Sequence, residues 1–495
     1  MTLLLLFACQ PSIGKSGETA TSDPASSDYD VIVIGSGPAG LAATFEAVSG
    51  GARVLTLERS DHYGGNDQGG GSLMMFSGTP EEEAAGVVDS PEQLLSEWPS
   101  FTGGDPDDPW VQYFAYNNVV RVHDWLADLG LDWLAPVADS SGGTTARLHE
   151  LDRDGMSISD AIAAQIPSET LRYNAQADDL LIAEDGRVLG VAWTDLATGA
   201  SQESLAQTVV VATGGFMRNL DRVRQEVPEI AQNDLRWGYS EGADGNGLTM
   251  LEAHGAATQN LHAVGLYAHG VPAPGEEPGE AVFPEMSKLL WFDNAGERFC
   301  DESETNSFIV GWTRALLPSG DAWLLMDDVL ASNASFLGYD QNTYTLSDLS
   351  AAGYVTTADT VSGLGDALGV PSATLEAEWE AFQQFSSGAV DSDPFRDAEH
   401  RGAAIQMAPF YAVPIAVTVA KGFGGIDVDL EGRVLDVNGA VIPGLYAAGE
   451  LTGMLGGSLV GNYGFTGSLT AVVLGGRVAG ENAVLEAVTD SPGVQ

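Results

Sequence analysis

Three glycines and a glutamate near the start of the sequence have the types and spacing of a dinucleotide-binding site. Gly35 closes the apolar run 31–34 with a tight turn. Gly37 lets the backbone approach a pyrophosphate, and Gly40 lets the following helix pack close to the sheet. Glu58 ends the next apolar run, where its carboxylate can accept hydrogen bonds from both ribose hydroxyls. The pattern predicts a strand, a glycine turn, a helix and a second strand that together hold a dinucleotide.

A second cluster of glycines follows Glu58 directly and indicates a cofactor longer than NAD. Residues 58–66 read Glu-Arg-Ser-Asp-His-Tyr-Gly-Gly-Asn, and residues 69–72 read Gly-Gly-Gly-Ser. Glycines here let the chain run along the rest of an extended cofactor. The pattern therefore predicts FAD, held in part by Arg59, Gly64, Gly65, Asn66 and Gly70.

Beyond the glycine motifs, apolar periodicity predicts the elements that position these residues. Apolar residues recur at helical spacing over 109–130, and a second helical pattern covers 374–384. Strands are predicted over 180–194, interrupted by a turn at 184–186, and over 203–211. The expected fold class is α/β, with a Rossmann-like FAD-binding domain made of a parallel sheet and helices.

The composition excludes several kinds of partner. The 495 residues carry a formal net charge of −50, and 44% of them are hydrophobic. A surface of this charge repels nucleic acid and anionic lipid headgroups. No apolar run reaches the roughly 18 residues that a membrane-spanning helix needs. The sequence thus predicts a large acidic protein that acts on a small molecule.

Two cysteines, Cys9 and Cys300, are too few for a disulfide framework, a zinc cluster or iron–sulfur ligation within the chain. A Cys-x-x-Cys-His motif for attached haem is also missing from the sequence. We therefore expect no metal. Cys300 is predicted to lie in a strand as an ordinary packed side chain.

Cys9 ends a leucine-rich run that resembles the box at which bacterial lipoproteins are lipidated and cleaved. Residues 16–28 are rich in Ser, Thr, Gly and Asp, as in a tether. The run departs from the usual signal because no Lys or Arg precedes it. The prediction is a protein of the bacterial cell envelope, lipid-anchored at Cys9 or periplasmic, with a cytoplasmic protein as the alternative.

Four blocks of the sequence resemble the flavoproteins of the fumarate reductase and succinate dehydrogenase superfamily, which includes the 3-ketosteroid and tricarballylate dehydrogenases. They are the N-terminal glycine motifs and residues 209–216, 296–302 and 442–450. The resemblance implies an FAD-binding domain interrupted by an α+β capping domain. The implied divisions are a signal and tether at 1–27, the FAD-binding domain at 28–268 and 419–490, and the capping domain at 269–418.

The resemblance also implies further cofactor contacts. The turn 212–214 lies against FAD in relatives, and Asn246 stands where the family usually has an aspartate. Glu450 and the backbone of Ser468 and Leu469 match positions that hold the ribityl chain and the pyrimidine end of the flavin. Because the covalent flavin-histidine motif is missing, FAD is expected to bind noncovalently. The complete predicted set is Gly35, Gly37, Ala39, Gly40, Glu58, Arg59, Gly64, Gly65, Asn66, Gly70, Ala212, Thr213, Gly214, Asn246, Gly449, Glu450, Ser468 and Leu469.

Candidate catalytic residues come from the same resemblance. Tyr463 and Gly467 have the Tyr-x-x-x-Gly spacing of 3-ketosteroid dehydrogenases, in which a hydroxyl and a backbone N–H polarise a ketone. His269 matches a histidine that touches a substrate carboxylate in fumarate reductases, and Tyr267 is expected to face the same side. Asn306, which cannot titrate, replaces the family's proton-delivering arginine or tyrosine. True fumarate reduction is therefore disfavoured.

The sequence lacks a second nucleotide fingerprint, so electrons are expected to come from or go to an external carrier. The leading interpretation is an FAD-dependent oxidoreductase that reduces or desaturates a carbon–carbon bond next to a carbonyl or carboxylate. A 3-ketosteroid dehydrogenase-type enzyme is one alternative. The other is a flavin-carrying electron-transfer lipoprotein without its own substrate.

Overall fold

The computed structural model of the chain describes residues 27–68, 73–138, 143–152, 156–238, 242–275, 279–284, 289–304, 307–338, 342–461 and 464–489. Within these ranges, no helix combines the length and the apolar character needed to cross a membrane.

The strands of the described residues belong to a large mixed sheet and several smaller ones. They are Tyr29–Ile34 (β1), Val54–Leu57 (β2), Leu73–Met75 (β3), Val137–Ala138 (β4), Ala146–Glu150 (β5), Leu171–Arg172 (β6), Ala175–Ile182 (β7), Val188–Asp195 (β8), Ala200–Val211 (β9), Leu235–Trp237 (β10), Thr258–Gln259 (β11), Val264–Pro272 (β12), Ala281–Pro284 (β13), Leu290–Asp293 (β14), Ala322–Met326 (β15), Ser335–Leu337 (β16), Thr343–Thr345 (β17), Thr356–Ala358 (β18), Phe410–Pro414 (β19), Ala416–Gly422 (β20), Gly425–Ile426 (β21), Arg433–Leu435 (β22) and Val441–Ala447 (β23).

Several of the α-helices begin with a proline in the first turn, where its missing N–H costs nothing. In the described part of the chain the helices are Pro38–Ser49 (α1), Pro80–Ala85 (α2), Pro91–Thr102 (α3), Pro109–Asn118 (α4), Asp124–Asp128 (α5), Ile158–Ala163 (α6), Leu220–Glu226 (α7), Asn246–Ala253 (α8), Phe308–Ala315 (α9), Asp328–Ala331 (α10), Leu346–Ala351 (α11), Val361–Leu368 (α12), Ser372–Ser386 (α13) and Leu469–Thr489 (α14).

The main sheet has the order β23–β9–β1–β2–β6, with every neighbouring pair parallel. Residues 31–34 of β1 lie at its centre and are buried, which explains why this segment is continuously apolar. β22 adds an antiparallel edge, while β7, β8 and β9 form an antiparallel meander. The predicted α/β class and parallel sheet are confirmed.

Helices α1 and α14 cross closely on one face of this sheet. A Cβ on Gly476 of α14 would lie 2.2 Å from the carbonyl oxygen of Ala39, and one on Gly480 would lie 2.4 Å from that of Ala43. The glycines of α14 therefore allow backbone-to-backbone packing against α1. This packing fixes the N-terminus of α1 at the carboxyl end of β1.

Two further sheets account for much of the segment between 264 and 422. One has the order β10–β20–β12–β13–β16–β17, and the other β14–β15–β19–β18. The predicted boundaries at 268/269 and 418/419 lie inside β12 and β20, which pair with each other. The division into domains stays a prediction.

The structure corrects two details of the expected elements. The helical stretch from 109 is interrupted at Val119–His123 by a π-helical turn between α4 and α5. Cys300 is buried as expected, but the prediction that it lies in a strand is wrong. β14 ends at Asp293, whose carboxylate accepts the N–H groups of Ala295 at 2.9 Å and Glu297 at 3.1 Å and closes a turn.

Candidate functional site

The carboxyl ends of β23, β9, β1 and β2 lie side by side and form a cradle that carries most of the predicted cofactor contacts. Gly35 follows β1 with φ 98°, and a Cβ there would lie 2.5 Å from the carbonyl oxygen of Ala212 at the end of β9. The turn therefore requires glycine. The second glycine cluster joins this edge, because the N–H of Gly64 donates to the carbonyl of Ser36 at 2.9 Å.

The N-terminus of α1 opens onto the cradle without a side-chain cap. Gly37 is its N-cap residue, in extended conformation, and no side chain bonds the first turn. A Cβ on Gly37 would meet no protein atom within 4 Å, whereas a Cβ on Gly40 would lie 2.0 Å from the carbonyl oxygen of Gly35. Free space before an uncapped helix N-terminus suits a phosphate group.

The Glu58 carboxylate is held firmly at the end of β2 and is 9% exposed. One of its oxygens accepts the backbone N–H of Ser36 at 2.9 Å and the Ser36 hydroxyl at 2.8 Å. The other accepts the N–H of Ser60 at 2.8 Å. A carboxylate offers about four acceptor positions, and three are used here, so about one remains for a ribose hydroxyl.

Arg59 and Asn246, which are distant in sequence, meet at Asp244. The Arg59 guanidinium forms an ion pair with Asp244. The same carboxylate accepts the backbone N–H of Asn246 at 3.0 Å and its side-chain amide at 2.9 Å. Asp244 thus brings a carboxylate beside the position where the family usually has an aspartate. Sequence reasoning missed it, although it directly precedes the glycine pair around Asn246.

The turn after β9 carries a buried polar atom that suits a cofactor. Within the described residues, the Thr213 hydroxyl is buried and has no hydrogen-bond partner. Gly214 follows with φ 80°, and a Cβ on it would meet nothing within 4 Å. Since buried hydroxyls normally have partners, this site fits a ligand that supplies one.

Gly449 and Glu450 form the end of the cradle that follows β23. A Cβ on Gly449 would lie 2.8 Å from Cβ of Ala39, at the start of α1. The Glu450 carboxylate accepts the N–H of Gly422 at 2.9 Å. Burial raises the pKa of Glu450, and the Gly422 N–H and the nearby Lys421 charge oppose this shift.

The order of the strands gives the cradle a direction. Glu58 follows β2 and Glu450 follows β23, on opposite sides of β1 and β9. FAD with its pyrophosphate at Gly37 and its adenosine ribose at Glu58 would have its flavin on the side of Glu450. Together with the orphaned Thr213 hydroxyl and the open space at Gly37, this arrangement fits FAD.

A second group of residues, Tyr267, His269, Phe308 and Lys421, lies at the meeting of β12, β20 and α9, and its three aromatic side chains are buried. We call it the β12–β20 cluster. Tyr267 stacks on Phe308 with ring centroids 5.2 Å apart, and its ring lies 5.9 Å from that of His269. Trp291 stacks on His269 at 6.0 Å. The structure thus brings the two predicted residues Tyr267 and His269 together in an aromatic setting.

Lys421 joins the β12–β20 cluster to the cradle, and the sequence did not predict it. Its ammonium donates to the hydroxyl of Ser468 at 3.2 Å, at the start of α14, and lies 6.0 Å from the Phe308 ring centroid. The next residue, Gly422, bonds Glu450. Two features of the sequence could have pointed to Lys421: it is one of only three lysines, and it directly precedes a glycine-rich segment.

His269 is a neutral group at ordinary pH. Burial lowers the pKa of His269 to about 4. Its Nδ1 atom has no hydrogen-bond partner among the described residues. The imidazole can therefore offer a hydrogen bond to a ligand but not a positive charge.

The buried imidazole of His269 predicts a stability that falls in acid. As the pH falls, the unfolded chain takes up this proton at its ordinary pKa of 6.5 and the folded chain only near 4, so stability is lost across that window. His269→Gln removes this titration. Between about pH 8 and pH 5, the free energy of unfolding of the wild type should fall by about 2 kcal/mol more than that of the variant. Urea unfolding measures both, and parallel pH profiles would contradict the buried neutral histidine.

Several predicted residues lie outside the described residues: Cys9, Gly70, Asn306 and Tyr463. Gly467 is described. It has φ 81°, and its carbonyl accepts the N–H of Met75 at 3.1 Å. The predicted pairing of Tyr463 with Gly467 at a substrate oxygen stays a prediction.

The block at 296–302 is part of a buried ion network. Glu302 accepts from Arg298 at 2.7 and 2.9 Å and from Arg396 at 2.8 Å. Arg298 also donates to Asp393 at 2.6 Å. Burial acts to raise the pKa of this carboxyl, but the Arg298 bond and backbone N–H bonds outweigh it, so the pKa is lowered. These contacts join the chain after β14 to the segment before β19, so the block stabilises the fold.

The chain matches the FAD binding domain family over residues 30–462. It belongs to that family. Two relatives of this flavoprotein are the NADH:fumarate oxidoreductase of Klebsiella pneumoniae, 28% identical over 95% of this chain and 49% of the relative, and the fumarate reductase (cytochrome) of Shewanella frigidimarina, 27% identical over 92% and 76%. The urocanate reductase of Eggerthella lenta is 25% identical over 92% and 74%. The flavoprotein spans about half the length of the first of these relatives.

Solved structures share the fold of the flavoprotein. The open conformation of a flavocytochrome c3 fumarate reductase has a TM-score of 0.70 at 23% identity, covering 94% of this chain and 79% of that one. The 3-ketosteroid Δ1-dehydrogenase of Sterolibacterium denitrificans, solved with 1,4-androstadiene-3,17-dione, has a TM-score of 0.73 at 19% identity, covering 92% and 99%. The predicted superfamily, its FAD cofactor and its oxidoreductase class are confirmed.

Proposed function

We propose that the chain reduces or desaturates a carbon–carbon bond next to a carbonyl or carboxylate. The observation that carries this proposal is the position of Tyr267 and His269, side by side in an aromatic setting. Lys421 connects this setting to the cradle, because it lies 6.0 Å from the Phe308 ring centroid and bonds Ser468. Fumarate and urocanate, named for two relatives, both have a double bond conjugated with a carboxylate. The aromatic rings exclude water, and the polar groups can hold the substrate oxygen.

Gly37, Glu58, Thr213 and Glu450 would hold FAD, which supplies hydride transfer when bound. We further propose that FAD binds noncovalently. Acid precipitation tests this, because noncovalent FAD should be released completely into the supernatant.

Tyr463 would hydrogen-bond the carbonyl or carboxylate oxygen as negative charge develops there. His269 would donate a hydrogen bond to a substrate oxygen. Electrons would be exchanged with an external carrier. The protein would be located in the cell envelope, with a lipid anchor at Cys9, and cell fractionation tests this location.

Substrate class is tested by dye-linked turnover of purified holoenzyme. The acceptors are fumarate, urocanate, acrylate and a steroid enone, with 4-vinylphenol as an alkene that lacks a carbonyl or carboxylate. We expect oxidation of reduced viologen with one class of conjugated acid or ketone and none with 4-vinylphenol. Turnover restricted to steroid enones would favour the ketosteroid alternative, and turnover with 4-vinylphenol alone would contradict the proposal.

Tyr463→Phe should lower turnover roughly 100-fold, because it removes the hydrogen bond to the developing oxyanion. FAD content should stay unchanged, since only one hydroxyl is lost. Tyr344→Phe, which removes a hydroxyl in the six-stranded sheet of β10–β20–β12–β13–β16–β17, is the matched control. Turnover equal to the wild type in both variants would exclude Tyr463 from the site.

A further inference from the structure

We propose that Lys421 stabilises the reduced flavin electrostatically and thereby raises the reduction potential of the cofactor. This inference rests on FAD occupying the cradle and is independent of the substrate proposed above.

The first observation is the position of the lysine. Its ammonium donates to Ser468 at the start of α14, and the adjacent Gly422 donates to Glu450. Ser468 and Glu450 are both predicted flavin contacts, and Glu450 lies on the cradle side opposite Glu58. Lys421 therefore lies between two groups on the flavin side.

The second observation is the charge around this lysine. The chain carries a net charge of −50, and the Glu450 carboxylate lies on the same side of the cradle. Both disfavour additional negative charge on the flavin. A reduced flavin carries more negative charge than the oxidised form, so a nearby ammonium opposes this penalty.

The ammonium of Lys421 lies in a partly buried environment beside an aromatic ring. Lys421 is half-buried on β20, and its ammonium lies 6.0 Å from the Phe308 ring centroid. β20 pairs with β12, and Gly265 of β12 lies directly opposite Lys421. A charge in this partly desolvated setting acts more strongly than one on the surface.

The test compares Lys421→Met and Lys421→Arg with the wild-type holoenzyme. Arg224→Met is the matched control, because it removes one positive charge from α7, where Arg224 forms an ion pair with Asp221 at 3.3 Å. The readouts are the midpoint potential of the bound flavin and its affinity for sulfite. Sulfite uses its sulfur lone pair to form a bond to N5 of oxidised flavin, which leaves negative charge on the ring, so it reports the same electrostatics without substrate.

We expect Lys421→Met to weaken sulfite binding roughly tenfold and to lower the potential by the equivalent of a tenfold change, about 30 mV for a two-electron couple. Lys421→Arg and Arg224→Met should remain near the wild type. A Lys421→Met potential and sulfite affinity equal to those of Arg224→Met would overturn the proposal.

If Lys421→Met is purified without FAD, titration of the apoprotein with oxidised and with reduced FAD gives the same information. The proposal predicts that the variant loses affinity for reduced FAD roughly tenfold more than for oxidised FAD. Equal losses for both forms would overturn it. Because no substrate enters these measurements, a wrong substrate class leaves them unaffected.

Discussion

Gly37→Val should yield a folded protein that contains almost no FAD. The valine side chain would enter the free space before α1, where a Cβ meets no protein atom within 4 Å, so the fold itself can accept it. That space is where the pyrophosphate must approach the helix N-terminus. The flavin-to-protein ratio from absorbance, together with the thermal midpoint of the apoprotein, measures both effects.

Gly40→Val provides the matched comparison within the same motif. A Cβ on Gly40 would lie 2.0 Å from the carbonyl oxygen of Gly35, so this variant should lose stability as well as FAD. Apo Gly37→Val should unfold near the temperature of the wild-type apoprotein, and apo Gly40→Val well below it. Stoichiometric FAD in purified Gly37→Val would show that the cofactor does not pass this helix.

Glu302→Ala should lower the free energy of unfolding by about 3–5 kcal/mol, since it leaves two buried guanidinium groups without their shared carboxylate. The side chains of Arg298 and Arg396 are 1% and 0% exposed, and both bond Glu302. Urea unfolding followed by tryptophan fluorescence measures the loss. Both guanidinium groups also lie over the Phe382 ring, at 5.4 and 5.1 Å, so the damage should reach α13.

Glu297→Ala is the control for this prediction, because Glu297 is exposed and lies in the same block. Its stability should stay within about 0.5 kcal/mol of the wild type. Glu302→Gln, which keeps the side-chain shape and loses the charge, should fall between the two. Equal stability of Glu302→Ala and Glu297→Ala would show that the network contributes nothing to the fold.

The cofactor site was predictable from sequence because its parts are local. The turn at Gly35, the helix start at Gly37 and the acid Glu58 follow one another along a single strand–helix–strand unit. Such a unit has a fixed hand and a fixed ligand position, so the residue types indicate the chemistry. The structure adds Asp244, which lies far along the chain in the turn before α8 and forms an ion pair with Arg59.

Lys421 and the ion network could not be predicted in the same way. Lys421 reaches the β12–β20 cluster because β20 pairs with β12, and this register depends on the whole intervening segment. Arg298 meets Asp393, which lies 95 residues further along the chain. Local apolar patterns do not encode pairings between residues so far apart in the sequence. The side chains that such pairings bring together are therefore recognised only in the folded chain.

The proposed reaction is the exchange of a hydride between the bound flavin and a carbon–carbon bond next to a carbonyl or carboxylate. Its most direct test is an anaerobic single turnover, in which chemically reduced holoenzyme is mixed with each conjugated acid or ketone in a stopped-flow photometer. We predict that one of these compounds reoxidises the flavin completely and yields one equivalent of the saturated product. Flavin that stays reduced with every compound and is reoxidised only by redox proteins would contradict the claim and identify an electron carrier.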